Sequence, residues 1–442
     1  MIDIFSFIEN SINFLISHSS GGFLALFSFF WFFFIFDFPR YVVLNFIGIL
    51  SWKIKKFGTS KKYQKAREQL FLQNPLITVI SAGRNESKTI PYLINSLEKQ
   101  TYKNIEIIIV DDGSDDQTMS ICKELLNADK INKYLYNEIR GGKSSALNLG
   151  LYYAKGKFII AVDADTLFLD TDAVEKITIP FFIDNKIGSV SADIHIINAN
   201  KTLWTSIQAL EYALLIMSGR ITTSFANILG IVSGAFGAFK KEAIEKVGGW
   251  DPGPGEDADI TVKIRKLGYK IYMEPDAIAF TEAPSDLIKL TKQRLRWDST
   301  LIKRLKKHRN IFSVIDNFSF SNFFSFIEQV IFTILLDIIF FVYLFYIFLV
   351  FPYLIGWYIL FLTYLIYVIT TLFQFIMVLW ISKYKKKDIK LGLYIPLMPI
   401  YFGYYRRIMR TYAYVRELLF KKSYDLPFIP KKISRRTKEM GI

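Results

Sequence analysis

The sequence predicts an α/β domain set between membrane-spanning segments. Two observations predict it. Apolar residues are segregated toward the two ends of the chain. The polar middle alternates short apolar runs with amphipathic stretches, and two of those runs end in carboxylates. The composition agrees: 52% of the 442 residues are hydrophobic and 17% aromatic, with 41 Phe, which is more apolar than an ordinary soluble protein. A single cysteine, Cys122, excludes an internal disulfide and argues against a Cys-based zinc site. Three scattered histidines, His18, His195 and His308, argue against a His-based metal site. The 55 Lys and Arg exceed the 40 Asp and Glu by 15. Much of this excess sits at the edges of the apolar segments, as juxtamembrane anchoring charge does. No nucleic-acid-binding signature accompanies it, so no nucleic-acid partner is expected.

The stretch GGFLALFSFFWFFFIFDF, 21–38, is long enough for one crossing at the lower limit. No small-residue cleavage site follows, so it reads as an anchor rather than a removed signal. Asp37, Pro39 and Arg40 interrupt it before YVVLNFIGIL. Either the crossing ends near Phe38 and 41–52 lies at the interface, or one tilted helix runs to about Leu50. The first is favoured, because an Asp–Arg pair is cheap at the headgroups and an Asp in mid-bilayer is not. Residues 331–351 and 357–381 are two further spans. Basic flanks at 53–67 and 382–390 and a basic C-terminus place those segments and the polar block in the cytoplasm, with the N-terminus outside. LGLYIPLMPIYFGYY, 391–405, is short and broken by Pro, and reads as re-entrant or interfacial.

Within the polar block, LITVISA (76–82) and IEIIIV (105–110) read as buried strands by their continuous apolar runs. A helix, KTIPYLINSLEKQ, with Ser87 as its candidate cap, separates them. Strand–helix–strand describes a parallel sheet, whose ligands bind at the carboxyl ends of the strands. DDGS (111–114) sits at one such end, and FIIAVDAD (158–165) brings Asp163 and Asp165 to another. Facing a pocket, these two are hard oxygen ligands for Mg2+ or Mn2+; in water they are only a polar loop. GGKSSALNLG (141–150) puts a Gly pair and Lys143 at a helix start, where backbone N–H groups and the ammonium favour phosphate. VSGAFGAFKK (232–241) reads as a strand of small residues that a ligand can approach closely. In GGWDPGPGEDADITVKIRKLG (248–268) a Gly/Pro-rich loop delivers Glu256 and Asp257 to a helix N-terminus. Asp257 there is either a cap or a general base.

Asn85–Glu86, VDDGS, Gly142–Lys143, DAD, Ser233–Gly234, GED and QRLRW (293–297) stand in that order. The string resembles the processive family 2 glycosyltransferases, the membrane-embedded synthases of cellulose, chitin, hyaluronan and poly-N-acetylglucosamine. The resemblance covers roughly residues 74–300, and the membrane layout extends it. It implies a cytoplasmic GT-A-type, Rossmann-like three-layer α/β domain inserted between N-terminal and C-terminal transmembrane helices. It implies a UDP-sugar donor, a divalent metal and inversion at the anomeric carbon. By the match, Asn85, Glu86, Asp112, Lys143, Asp163, Asp165 and Arg296 bind the donor, with Asp112 on the uridine and Asp163 and Asp165 on the metal. Asp257 is the base, and Ser233, Gly234, Glu256, Gln293 and Trp297 face the acceptor. Arg296 would hold the diphosphate while Trp297 offers the chain end a flat apolar face. The chain departs from the pattern in reading GED, where cellulose and poly-N-acetylglucosamine synthases have TED and hyaluronan synthases GDD.

The expected organisation is a membrane anchor and interface segment (1–56), a basic linker (57–73), the catalytic domain (74–300), amphipathic interface helices (301–328), a C-terminal transmembrane region (329–408) and a basic cytoplasmic tail (409–442). The expected activity is extension of a β-linked polysaccharide from UDP-N-acetylglucosamine or UDP-glucose, with transfer of the growing chain across the lipid bilayer of the bacterial inner membrane. Few passages are available after the domain, so a narrow pore calls for a second copy or an accessory membrane subunit. The rival readings are a single-addition transferase and a transporter with an inactive nucleotide domain.

Overall fold

The computed structural model describes residues 4–19, 22–308 and 319–421. Among these, the strands are β1 (Ile77–Gly83), β2 (Ile105–Asp111), β3 (Lys133–Tyr136), β4 (Phe158–Asp163), β5 (Ile187–Ile196), β6 (Phe236–Lys240) and β7 (Lys270–Thr281). They form one sheet in the order β3-β2-β1-β4-β6-β5-β7. Strand alternation divides the central residues between two cores. Ile80, Ala82, Ile108, Val110, Ile159 and Ala161 face one side, packed with Ala146, Leu147 and Leu151 of the helix Lys143–Tyr153. Ile77, Val79, Ile107, Ile109, Ile160 and Val162 face the other, packed with Leu93, Ile94 and Leu97 of the helix Ile90–Glu98. Helices on both faces explain why these strands are apolar at every position. Each fully buried Ile or Val contributes about 1.5–3 kcal/mol.

The sheet is mixed rather than parallel. β1 to β4 are parallel, but β6 runs antiparallel to both β4 and β5. The strand expected over 232–241 begins only at Phe236. Residues 232–235 fold back on it so closely that a Cβ on Gly237 would lie 2.6 Å from Val232 and 2.7 Å from the Ser233 carbonyl. The helix expected after Ser87 starts at Ile90 with Thr89 as its N-cap residue. Ser87 donates its backbone N–H to Asp116 instead.

Among the described residues, three helices are long and apolar enough to cross a membrane: Leu26–Gly58, Phe320–Val350 and Tyr353–Ile381. The first does not end at Phe38. It is continuous to Gly58, with Pro39 absorbed in a wide, π-type stretch, Phe33–Leu44. The expected Asp37–Arg40 pair does not form. Asp37 is buried, accepts a hydrogen bond from the Tyr367 hydroxyl and lies 3.4 Å from Arg407. Arg40 pairs with Glu328. Partners from distant helices thus supply what the headgroups were expected to supply.

The segment expected as a linker is the helix Ser60–Gln73, tied to the domain by Arg67 on Glu175 at 3.0 Å. The expected interface stretch is split. Residues 301–307 complete the helix Leu287–Lys307, and Phe320 onward belongs to the second span; 309–318 lie outside the described residues. Residues 391–405 are helical but irregular: Ile389–Leu397 is a 3-10 helix containing Pro396, followed by a short α-helical piece, Met398–Ile400, and a π-type stretch, Tyr401–Arg406. Leu391, Ile395, Met398 and Tyr401 join the same core as Ile80 and Leu147. The expected tail begins as the helix Arg407–Phe420, packed on Leu287–Lys307; 422–442 lie outside the described residues.

Candidate active site

The loops after β1 and β2 are stitched together by side chains. Asn85 adopts a left-handed backbone (φ 62°), donates its N–H to Ser114 and accepts the Asp115 N–H at 3.0 Å. Glu86 donates its N–H to Thr118 and accepts from the Thr89 hydroxyl. Burial, with Asp163 and Asp116 nearby, raises the Glu86 carboxyl above its ordinary value. Asp112 is buried, and its two oxygens accept the N–H groups of Gly141 and Gly142 at 2.8 Å each. Asp112 therefore holds the loop that leads into Lys143.

Lys143 opens its helix directly after Gly142 and is the centre of the site. Its ammonium pairs with Asp163, lies 3.4 Å from the Gly234 carbonyl and 3.6 Å from Glu256. Burial opposes the charge, but Asp163 and Glu256 outweigh it and hold the ammonium protonated well above its usual range. Asp163 is the last residue of β4, while Asp165 lies beyond it in a turn, so strand alternation does not aim the second carboxyl. Burial, then Asp163 and Glu86, push Asp165 up to about 7.

Glu256 and Asp257 begin the helix Glu256–Lys266. Gly255 caps it in the left-handed region (φ 85°), where a Cβ would also lie 2.7 Å from Thr300. Asp257 accepts the N–H of Ala258 at 2.7 Å. Burial, opposed by Lys143, raises the Glu256 carboxyl. A Cβ on Gly234 would lie 3.1 Å from the Lys143 Nζ and 3.6 Å from Asp257, so the fold brings Gly234, Lys143, Asp163, Glu256 and Asp257 to one point. Ser233 is buried behind it and donates its N–H to Ser191 of β5. Arg220 also reaches the Ser191 hydroxyl, at 3.4 Å, and its charge acts on Asp257. Sequence reading missed Arg220, which lies in a stretch without a motif.

QRLRW lies on the helix Leu287–Lys307. Its Thr300, one turn beyond Trp297, meets the Gly255 cap, and Lys303 donates to the Pro252 carbonyl. The helix that carries the motif therefore packs against the loop that carries Glu256 and Asp257. Trp297 is 37% exposed, so it is not a core residue. Arg296 beside it is exposed. The fully buried arginine is Arg294: it donates to Glu211 at 2.6 Å and to Gln293 at 2.7 Å, and its guanidinium lies 4.3 Å from the Trp297 ring centre. The only sequence signal for Arg294 was its place three residues before Trp297, one turn back on a helix.

The profile of Glycosyl transferase family 2 matches residues 78–248. These residues form a family 2 glycosyl transferase domain. The GED and QRLRW stretches lie beyond the matched part. The chain is 34% identical over 222 residues to the poly-beta-1,6-N-acetyl-D-glucosamine synthase of Staphylococcus epidermidis, covering 50% of this chain and 53% of that one. It is 33% identical over 258 residues to the synthase of the same name from Staphylococcus aureus strain COL, covering 58% and 61%. The match thus spans between half and two thirds of these relatives. Among solved structures, a mannosyltransferase from Pyrobaculum calidifontis in complex with GDP-Man and Mn2+ superposes with a TM-score of 0.54 at 18% identity, over 85% of this chain and 99% of that one. The likeness is one of fold: the glycosyl transferase domain has a GT-A-like mixed sheet, with one candidate span before it and two after.

Proposed function

We propose that the protein is a membrane-embedded, inverting glycosyltransferase that polymerises a UDP-sugar, UDP-N-acetylglucosamine before UDP-glucose, into a β-linked polysaccharide. The observation that carries this reading is the convergence on Lys143 of the strand-end Asp163 and the helix-start Glu256. In this reading that convergence brings the donor and acceptor sides to one reacting centre. The named synthases among the relatives favour N-acetylglucosamine.

In this reading an acceptor hydroxyl oxygen attacks the anomeric carbon as the bond to UDP breaks. Asp257 takes the hydroxyl proton, and UDP leaves with the bonding electrons. Lys143 offsets the charge that grows on the departing diphosphate. Asp165 fits a divalent cation: burial first, then the neighbouring charges of Asp163 and Glu86, push its carboxyl to about 7, and a bound cation would offset that crowded negative charge. Asp163 and Asp165 would hold Mg2+ or Mn2+, which neutralises diphosphate charge when bound. The solved neighbour in complex with Mn2+ supports that choice. Among the described residues no cluster of three or more His, Cys, Asp or Glu is placed to hold a metal, so the diphosphate would supply further oxygens.

Basic residues beside the spans at 53–67 and 382–390 support a multi-pass plasma-membrane protein with its catalytic domain in the cytoplasm, and the product would cross the bilayer. The test is the purified protein in lipid with Mg2+ or Mn2+, given UDP-sugars one at a time, with UDP release and product size followed. One donor yielding UDP and a high-molecular-weight product supports the reading. UDP release with only single-sugar products would replace it with non-processive transfer.

A further inference from the structure

Trp297 stacks on a charge network that ends on one buried carboxylate, and the residue after it is tied to the same carboxylate. Arg294, one helical turn before it, stacks its guanidinium 4.3 Å from the ring centre and donates to Glu211 Oε2 at 2.6 Å. Asp298, the next residue, accepts a two-pronged bond from Arg406 at 2.9 and 3.1 Å. Arg406 lies 3.7 Å from Glu211 Oε1. The Tyr401 hydroxyl donates to Glu211 as well, at 2.9 Å. Glu211 is buried, as is Arg294. The two guanidiniums hold its carboxyl below the ordinary range against the cost of burial.

We infer that Glu211 is a positioning residue that sets the pose of Trp297 toward the acceptor sugar. The inference rests on the proposed transferase reading for its consequence, though not for its geometry. Arg294 gives one N–H to Glu211 and another to Gln293, and two bonds from one planar group fix orientation as well as distance. A guanidinium held this way presents a fixed face to the indole, so a ring that swings away forfeits the cation–π contact. Tyr401 and Arg406 come from the irregular stretch after the last span. The carboxylate therefore also registers the Trp297 helix against the segment that follows the spans. A helix bearing a bare, 37% exposed tryptophan would hold it in several rotamers; here Arg294, one turn back, supplies a fixed partner for the ring.

The test uses the full-length protein in lipid and the variant Glu211→Gln, which keeps the size and one acceptor oxygen but loses the charge. Labelling with 5-fluorotryptophan gives one 19F signal for each of the 7 Trp, and Trp297→Phe assigns the one that matters. Glu211→Gln should shift or broaden that signal, and an unmoved Trp297 signal overturns the inference whatever the protein makes. Functionally, Glu211→Gln should shorten the polymer and weaken binding of a short β-linked N-acetylglucosamine oligosaccharide up to about tenfold, as for a cation–π contact between the exposed and desolvated limits. Arg294→Lys should do the same, since it keeps charge but not the planar fork. In a Trp297→Ala background, Glu211→Gln should add nothing further. Additive loss would mean that Glu211 only supports the fold, and overturns the inference. Wild-type protein that makes no polymer from any donor would sink the transferase reading instead, while the 19F result still decides the positioning.

Discussion

Lys143 and Asp163 form an ion pair between the first residue of a helix and the last residue of a strand. With Glu256 at 3.6 Å, the same ammonium joins two segments that lie far apart in the chain. Lys143→Met would leave Asp163, Glu256 and Asp257 facing one another with no cation between them. The expected outcome is a fall in sugar transfer of about a hundredfold or more, as for loss of one preorganised electrostatic contact. UDP release under saturating donor measures it. Transfer within a few-fold of wild type would show that the ammonium is a structural filler.

Asp257→Asn keeps the shape and the Ala258 contact but cannot accept a proton. Transfer should drop by about 10²–10⁴, the usual contribution of a general base, while UDP still binds by calorimetry. Turnover near the wild-type rate would remove Asp257 from that role.

Excess chelator should stop transfer, and Mn2+ or Mg2+ should restore it. The expectation follows from the crowding of Asp165 by Asp163 and Glu86. Full activity in chelator would assign charge neutralisation to Lys143 and neighbouring arginines alone.

Gly150 lies in the helix Lys143–Tyr153 where it crosses the sheet. A Cβ there would lie 2.4 Å from Ile80 Cγ2 and 3.2 Å from Val110 Cγ2. Alanine gains up to about 1 kcal/mol in helix propensity but forces the packed strands apart, which costs about 1–3 kcal/mol. Gly150→Ala should lower the melting temperature, and since the helix begins at Lys143 it should lower activity too. An unchanged or higher melting temperature would mean that the helix shifts freely.

His195 on β5 donates its Nε2–H to the Asp193 carboxylate at 2.9 Å, with Asp388 and Lys387 beside it and the rings of Phe280 and Tyr384 packed against it. Burial works against the charged form, but Asp193 and Asp388 outweigh it and raise the imidazole above its ordinary value. A raised folded value means that its stabilising contribution is complete below the unfolded value, about 6.5, and is lost as pH rises through the folded one. The melting temperature of wild type, relative to His195→Gln, should therefore fall as pH rises from about 6.5 upward. Parallel curves for the two proteins would show that His195 does not titrate in this window.

The parts of this fold that were legible in the sequence are those set by local pattern. β1, β2 and β4 announce themselves because a strand covered on both faces must be apolar throughout, and carboxylates mark where the β2 and β4 runs end. The two C-terminal spans follow from length alone. What the pattern could not carry is pairing across the chain. Tyr367 is 330 residues from Asp37, and Glu211 is 83 from Arg294. An acid among apolar residues looked like a helix end because its partners were out of sight. In QRLRW the eye falls on the arginine adjacent to the tryptophan, but helical geometry brings the one three residues back under the ring. The reversal of β6 was hidden for a similar reason: strand direction depends on the path of the helices between β5 and β6, not on the strand's own residues.

The core that holds Ile80 and Leu147 also takes in Phe375 and Val378 from the last span and Leu391, Met398 and Tyr401 from the stretch after it, with Trp52 of the first helix packed against them. Gly48 touches Thr222 so closely that a methyl group would lie 2.5 Å from its hydroxyl. There is thus no hinge at which the glycosyl transferase domain could be severed from its anchors. A fragment trimmed to the family segment would not be a soluble enzyme missing its moorings; it would be a sheet with one wall of its house removed, sticky along that side and prone to aggregate.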